Sequence, residues 1–221
     1  MPVLVVFPLK AEFKKFFEAH SLLTGAQTDL NQVSGFKSLV YKHPRKNIYF
    51  AIGGLGKAQV AVSISEILSK LKISKILVLG CCGALTKQHA VGDIVSAVKI
   101  IDCDWNSKYL NQNGREFLLK PIENLNYEGR THKSSILSVE QEIASGDQSQ
   151  SLISRFGHGV VAMESAGGIV AAKHFSTPYF EIRAVSDHCD SESLGNFNQG
   201  LTEAMSNLAK LFCCMTEFLE S

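Results

Sequence analysis

Residues Val160–Asp190 read VVAMESAGGIVAAKHFSTPYFEIRAVSDHCD, and the pattern of this stretch decides the fold class. A short apolar run, Val160–Met163, ends at Glu164. Ala166, Ile169, Val170 and His174 then recur at helical spacing. Pro178 closes that helix, because the residue before a proline is pushed out of the α region. Tyr179–Val185 reads as a buried strand ending in Ser186 and Asp187. Two strand ends, one on each side of a helix, therefore carry one carboxylate each. Ligands of open α/β sheets sit at the carboxyl ends of strands. A pair of acids there suits general acid/base chemistry or the binding of a sugar diol. The competing reading makes Glu164 an ordinary charge in the first turn of its helix, where the dipole favours it.

Upstream, Val3–Phe7 is a continuous apolar run that fits a buried strand. After Pro8-Leu9, residues Phe13, Phe16 and Phe17 lie at helical spacing among Lys10, Lys14 and Lys15, which puts Glu12 in the first turn. On position alone, Glu12 also fits a solvated helix charge. Residues 21–46 are polar, with a possible strand pair around Gly35-Phe36. Asn47–Ile52 is a strand, and Gly53-Gly54-Leu55-Gly56-Lys57 opens a helix to about Leu71. Such a turn can cradle an anion on its backbone N–H groups, but its spacing is neither GxGxxG nor Walker A. Lys75–Leu79 is a further strand, ending in a small-residue turn, Gly80-Cys81-Cys82-Gly83-Ala84. Val91–Val95 gives a turn and a strand.

Residues 106–134 read as a long loop or excursion. Ser135–Val139 is a possible strand, Asp147–Phe156 a short helix, Ser191–Asn198 a loop and Leu201–Leu219 the closing helix. The βα alternation argues for a single α/β domain over residues 1–221 with a largely parallel central sheet.

Bulk properties exclude several classes. A formal net charge of +1 gives no electrostatic case for nucleic acid or an anionic membrane. There is no run of about 18 apolar residues to span a bilayer. The start, Met1-Pro2-Val3-Leu4, lacks the basic region of a signal peptide, so a cytoplasmic protein is expected. The 6 cysteines include two adjacent pairs and no CxxC, which predicts free, mostly buried thiols. Asp102-Cys103-Asp104-Trp105 is a poor ligand set, so neither metal nor cofactor is expected.

Six segments together resemble the nucleoside phosphorylase and nucleosidase superfamily, closest to the 5′-methylthioadenosine/S-adenosylhomocysteine nucleosidases. They are FPLKAEF with Glu12, GGLGK at 53–57, GCCGAL at 80–85, VGDIV at 91–95, AMES at 162–165 and RAVSD at 183–187. The resemblance implies a twisted sheet with partial barrel character and cleavage of the N-ribosidic bond of a purine nucleoside. It also implies a homodimer, since active sites of this family borrow residues from a neighbour.

By resemblance, Asp187 protonates N7 of the leaving base and Glu12 activates the attacking water. Glu164 holds the ribose hydroxyls with Met163 under the sugar, and Arg183 lies near the water and the acids. Cys81, Gly83, Ile143 and Ser186 complete the substrate-binding set. Asp187 must carry a proton to act as the acid, which burial favours.

The chain departs from the family pattern at three places. Cys81 replaces a hydroxyl residue, Ala162 replaces a glutamate, and Glu142 stands where an aromatic stacks on adenine. Trp105 or a side chain of the 106–134 excursion is then expected to supply the stacking surface. Futalosine-type nucleosides become candidate substrates beside methylthioadenosine and S-adenosylhomocysteine. Val78 occupies the position of a phosphate-clamping arginine in the related phosphorylases, which favours hydrolysis over phosphorolysis. A phosphate-dependent phosphorylase and a non-catalytic nucleoside binder of the same fold remain the alternatives.

Overall fold

The computed structural model describes all residues except 26–28, 108, 110, 111, 124, 126, 129, 192 and 221. Strands are β1 (Val3–Phe7), β2 (Asn31–Gln32), β3 (Val40–Lys42), β4 (Ile48–Ile52), β5 (Lys75–Ala84), β6 (Ile94–Ser107), β7 (Gln112–Leu118), β8 (Thr131–Ser138), β9 (Val160–Ala162) and β10 (Tyr179–Asp187). Helices are α1 (Lys10–Thr24), α2 (Lys57–Lys70), α3 (Gly146–Phe156), α4 (Ser165–His174), α5 (Ser193–Cys214) and α6 (Thr216–Glu220). No helix among the described residues is long and apolar enough to cross a membrane.

All the strands join one sheet. Its parallel centre is β4-β1-β5-β10. Part of the sheet closes on itself. β10 pairs β5 on one side and β6 on the other, β6 pairs β8, β8 pairs β9, and β9 returns antiparallel to the far end of β5. The antiparallel pairings at β6, β9 and the β2–β4 edge make the sheet mixed, with the expected partial barrel.

Alternation along β1 sorts the two faces. Val3, Val5 and Phe7 pack with Phe16 of α1 and with Leu201, Met205 and Leu208 of α5. Leu4 and Val6 pack with Val60, Ile64 and Ile67 of α2 and with Ala166 and Ile169 of α4. Each fully buried aliphatic or aromatic side chain here contributes about 1.5–3 kcal/mol.

Most of the expected elements are present, and four differ. β5 continues through Ala84 where a small-residue turn was expected after Leu79, because β10 and β9 pair it as far as Gly83 and Ala84. The 106–134 excursion contains β7 and the start of β8. Only Phe117 of β7 is buried, so an almost wholly solvated strand left no apolar alternation to read. Its remaining positions partly lie outside the described residues. The expected loop Ser191–Asn198 is largely the first turns of α5, apart from position 192, which is not described. The closing helix also breaks: Met215 N–H bonds Phe212 O, a tight i→i+3 turn between α5 and α6. The polar strand pair around Gly35-Phe36 is β2–β3.

Candidate active site

The ends of β1, β5, β9 and β10 converge on a cavity of about 320 Å³. Glu12, Cys81, Gly83, Ile143, Met163, Glu164, Arg183, Ser186 and Asp187, the whole expected set, line it together. Its size falls in the usual range of small-molecule sites.

Glu12 is delivered by the first turn of α1 and is fully buried. Its Oε2 accepts from Leu9 N–H at 2.7 Å, and its Oε1 accepts from Cys81 N–H at 2.7 Å. The carboxylate thus satisfies an orphan donor of its own helix and one of β5. It is no solvated surface charge. Burial pushes its pKa above the ordinary value, against the pull of Arg183. Gly80 explains the small-residue run at this point. A Cβ there would lie 2.8 Å from both Arg183 Nη1 and Glu12 Oε1, so a larger residue would displace the pair.

Glu164 sits at the N-cap of α4 but makes no side-chain capping bond. It turns into the cavity instead, 5% exposed. Its Oε2 lies 3.3 Å from Arg183 Nη1 and from Nη2, and its Oε1 is 3.5 Å from Gly56 N–H. Burial raises its pKa too, opposed by Arg183. Gly56 reaches this place with φ 85°, and a Cβ there would meet Glu140 Oε2 at 2.8 Å.

Arg183 is 1% exposed, and all three of its nitrogens are bonded to acids or to backbone. Nε donates to Glu181 Oε1 at 2.6 Å, and Nη1 also donates to Cys81 O at 3.1 Å. Glu181, itself buried, further accepts from Ser165 Oγ and Tyr179 Oη, each at 2.7 Å. Glu181 is a residue that sequence reasoning misses. Its one signal, shared with Arg183, is a charge within the apolar part of a strand.

At the end of β10, Asp187 Oδ2 accepts from Ser186 Oγ at 2.8 Å and Oδ1 accepts from Cys189 N–H at 3.0 Å. Both oxygens are thereby held and the carboxyl plane is set. The Cys81 thiol is pushed well up by burial, with Glu12 adding to the effect, so it stands as a neutral S–H beside the acids.

The remaining wall comes from Gln141–Ala144, Leu9, Leu55, Val161, Cys189 and Phe197. Glu140 anchors the 141–144 segment: it accepts from Lys57 N–H at 2.8 Å and donates its own N–H to Asp104 Oδ2 at 2.8 Å. Lys57 Nζ meets Asp102 and Asp104 at 2.5 Å each. Burial opposes the Lys57 charge, but those bonds more than offset it and leave the pKa raised. The Asp102–Asp104 acids therefore serve structure, as expected, and burial pushes the Cys103 thiol between them up to about 12.

Trp105 does not reach the cavity; it is 39% exposed and stacks under Arg115. Among the described residues, the aromatic lining the cavity is Phe197, from the stretch expected to be loop. The cysteines are all free, with Cys213 and Cys214 exposed.

Fold and cavity together define an α/β protein with buried Glu12 and Glu164 and half-buried Asp187 gathered at the strand ends of a partly closed sheet. Residues 2–219 match the family model of the phosphorylase superfamily, and the chain belongs to that superfamily. It is 25% identical over 188 residues to the aminodeoxyfutalosine nucleosidase of Helicobacter pylori, covering 79% of this chain and 81% of the relative. It is 26% identical over 213 residues to the 5′-methylthioadenosine/S-adenosylhomocysteine nucleosidase of Staphylococcus haemolyticus, covering 88% and 92%. The fold superposes on the crystal structure of Helicobacter pylori 5′-methylthioadenosine/S-adenosyl homocysteine nucleosidase with a TM-score of 0.86, 18% identity and 99% coverage of both chains. The native structure of futalosine hydrolase from Helicobacter pylori superposes at 0.84, with 19% identity and coverage of 99% of this chain and 98% of that one.

Proposed function

We propose that this protein is an N-glycosyl hydrolase that releases the free base from a purine nucleoside or thionucleoside, of methylthioadenosine, S-adenosylhomocysteine or futalosine type. The observation that carries hydrolysis is the state of Arg183. Among the described residues lining the cavity it is the only lysine or arginine, and Glu181, Glu164 and the Cys81 carbonyl engage its donors. A phosphate nucleophile needs a free guanidinium fork, and Glu12 and Glu164 would repel it. Water needs only a base.

In this reading Glu12 takes a proton from water as the water oxygen bonds to C1′. The C1′–N9 bond breaks, and Asp187 gives its proton to N7 of the departing base. The raised pKa of Glu12 makes it the stronger base. Glu164 accepts from the ribose 2′- and 3′-hydroxyls, and its charge stabilises the cation-like sugar in the transition state. Met163 packs under the sugar. Ser186 orients the Asp187 carboxyl, and Arg183 opposes the effect of burial on Glu164 and aims it. Cys81, Gly83 and Ile143 shape the wall.

The same reading takes residues 1–221 as one domain, supported by the single sheet, and as a homodimer, supported by exposed Leu118 and Val170. It places the protein in the cytoplasm, where free thiols persist, with no nucleic-acid or membrane partner and no cofactor.

The test is incubation with a panel of purine nucleosides and thionucleosides, with free base followed by chromatography. At least one member should be cleaved. Folded protein that releases base from none would replace the enzyme by a nucleoside-binding module.

A further inference from the structure

Outside the cavity, the turn before β6 and the start of β8 bring together His89, Asp93 and His132. One ligand atom from each lies within 4.8 Å of the others. His132 Nε2 is 3.3 Å from Asp93 Oδ2, and the two imidazole rings stand edge to face at 4.9 Å between centroids. None of the three lines the cavity. His89 Nδ1 is buried and has no hydrogen-bond partner among the described residues, which is costly unless something occupies it. Asp93 is held from outside the cluster. Its Oδ1 accepts from Arg130 Nε at 3.0 Å and its Oδ2 accepts from Ala90 N–H at 2.8 Å. The Arg130 charge is itself partly balanced by Glu203, 3.7 Å away.

We propose that His89, Asp93 and His132 form a site for a divalent first-row transition metal such as Zn²⁺, separate from the catalytic cavity. Two imidazole nitrogens and one carboxylate oxygen suit such an ion, whereas Ca²⁺ and Mg²⁺ take oxygen ligands. Tetrahedral coordination at about 2.0–2.1 Å sets donor atoms about 3.3 Å apart. The His132–Asp93 pair already has that spacing, and His89, whose ligand atom lies within 4.8 Å of the other two, closes the rest by a side-chain adjustment of up to about 1.5 Å. Arg130 holds Oδ1, so Asp93 binds through Oδ2, and a water takes the fourth position.

The site is tied to the functional strand through the backbone. Asp93 O accepts from Val185 N–H at 2.9 Å, and Val185 O accepts from Gly92 N–H at 2.8 Å, two residues before Asp187. A bound ion therefore pins the 89–93 turn, β8 and the end of β10 together. His132 comes from a segment about 40 residues away from His89 and Asp93, so no local pair of His or Cys ligands marks the site in the sequence.

The test is a Co²⁺ titration of the full chain followed by visible absorption, with Zn²⁺ displacement. A Cys213→Ser, Cys214→Ser background removes the exposed thiol pair that would compete for the metal. One Co²⁺ per chain, with tetrahedral bands and no thiolate charge-transfer band, is the expected result. Affinity should fall roughly 100-fold or more in His89→Gln and in His132→Gln, and Zn²⁺ should raise the melting temperature of the parent but of neither variant. Absence of stoichiometric uptake, a thiolate spectrum, or uptake unchanged in both histidine variants would overturn the proposal. Should one variant fail to fold, the spectrum of the parent and the other variant decide.

Discussion

Arg183 presents Nη1 and Nη2 to Glu164 Oε2 at 3.3 Å while its Nε is held by Glu181 Oε1 at 2.6 Å. The guanidinium is thus a rigid bridge between a buried structural acid and the acid proposed to bind the ribose. Lysine keeps the charge but cannot span both partners. Arg183→Lys should therefore fold and lose about a hundredfold in kcat/KM through misplacement of Glu164. Arg183→Met leaves buried carboxylates unpaired and should cost about 3–5 kcal/mol in urea unfolding. Parent-like stability of Arg183→Met would show that the bridge does not hold the site.

Glu12→Gln should lower kcat by about 10²–10⁴ and leave substrate binding nearly intact, because it removes the base and keeps the shape. The same variant reports on proton linkage. Burial raises the Glu12 carboxyl above 4.5, so the folded chain binds this proton more tightly than the unfolded chain. The resulting stabilisation is full below about 4.5 and is lost as pH rises through the raised folded value. Melting temperature should accordingly fall more steeply with pH in the parent than in Glu12→Gln. Parallel curves would contradict the burial argument.

At the other end of the reacting bond, Asp187→Asn should lower kcat by about 10²–10⁴. Ser186→Ala removes a hydrogen bond to the carboxyl, and kcat should fall about tenfold. Turnover of Asp187→Asn at the parent rate would move the acid elsewhere.

Phe197 is the aromatic on the cavity wall, whereas Glu142 cannot stack and Trp105 lies outside. Phe197→Ala should weaken substrate binding by about 1–3 kcal/mol, seen as a higher KM with a smaller change in kcat. Trp105→Ala should leave both constants alone. The reverse pattern would place the base against a different wall.

Much of the fold is legible in the sequence because the buried strands and amphipathic helices carry strong periodicity. Val3–Phe7 and Tyr179–Asp187 are largely apolar runs that end in chemistry, so the residue pattern alone sets Glu12, Glu164 and Asp187 at strand or helix ends. β7 is not legible, since a strand that buries only Phe117 has no apolar alternation. The extension of β5 is hidden because its last residues, Gly80–Ala84, are mostly small, and Gly80 leaves room for Arg183 and Glu12 from elsewhere in the chain. Glu181, Phe197 and the His89–Asp93–His132 cluster depend on contacts between distant segments, which spacing does not encode.

The central claim is that water, and not phosphate, attacks the sugar. The direct measurement is cleavage of the best nucleoside of the panel in H₂¹⁸O containing phosphate, with mass analysis of the sugar product. Hydrolysis predicts one ¹⁸O at the anomeric position of the free sugar and a rate unchanged by phosphate. An unlabelled sugar 1-phosphate, formed at a rate that rises with phosphate, would contradict it.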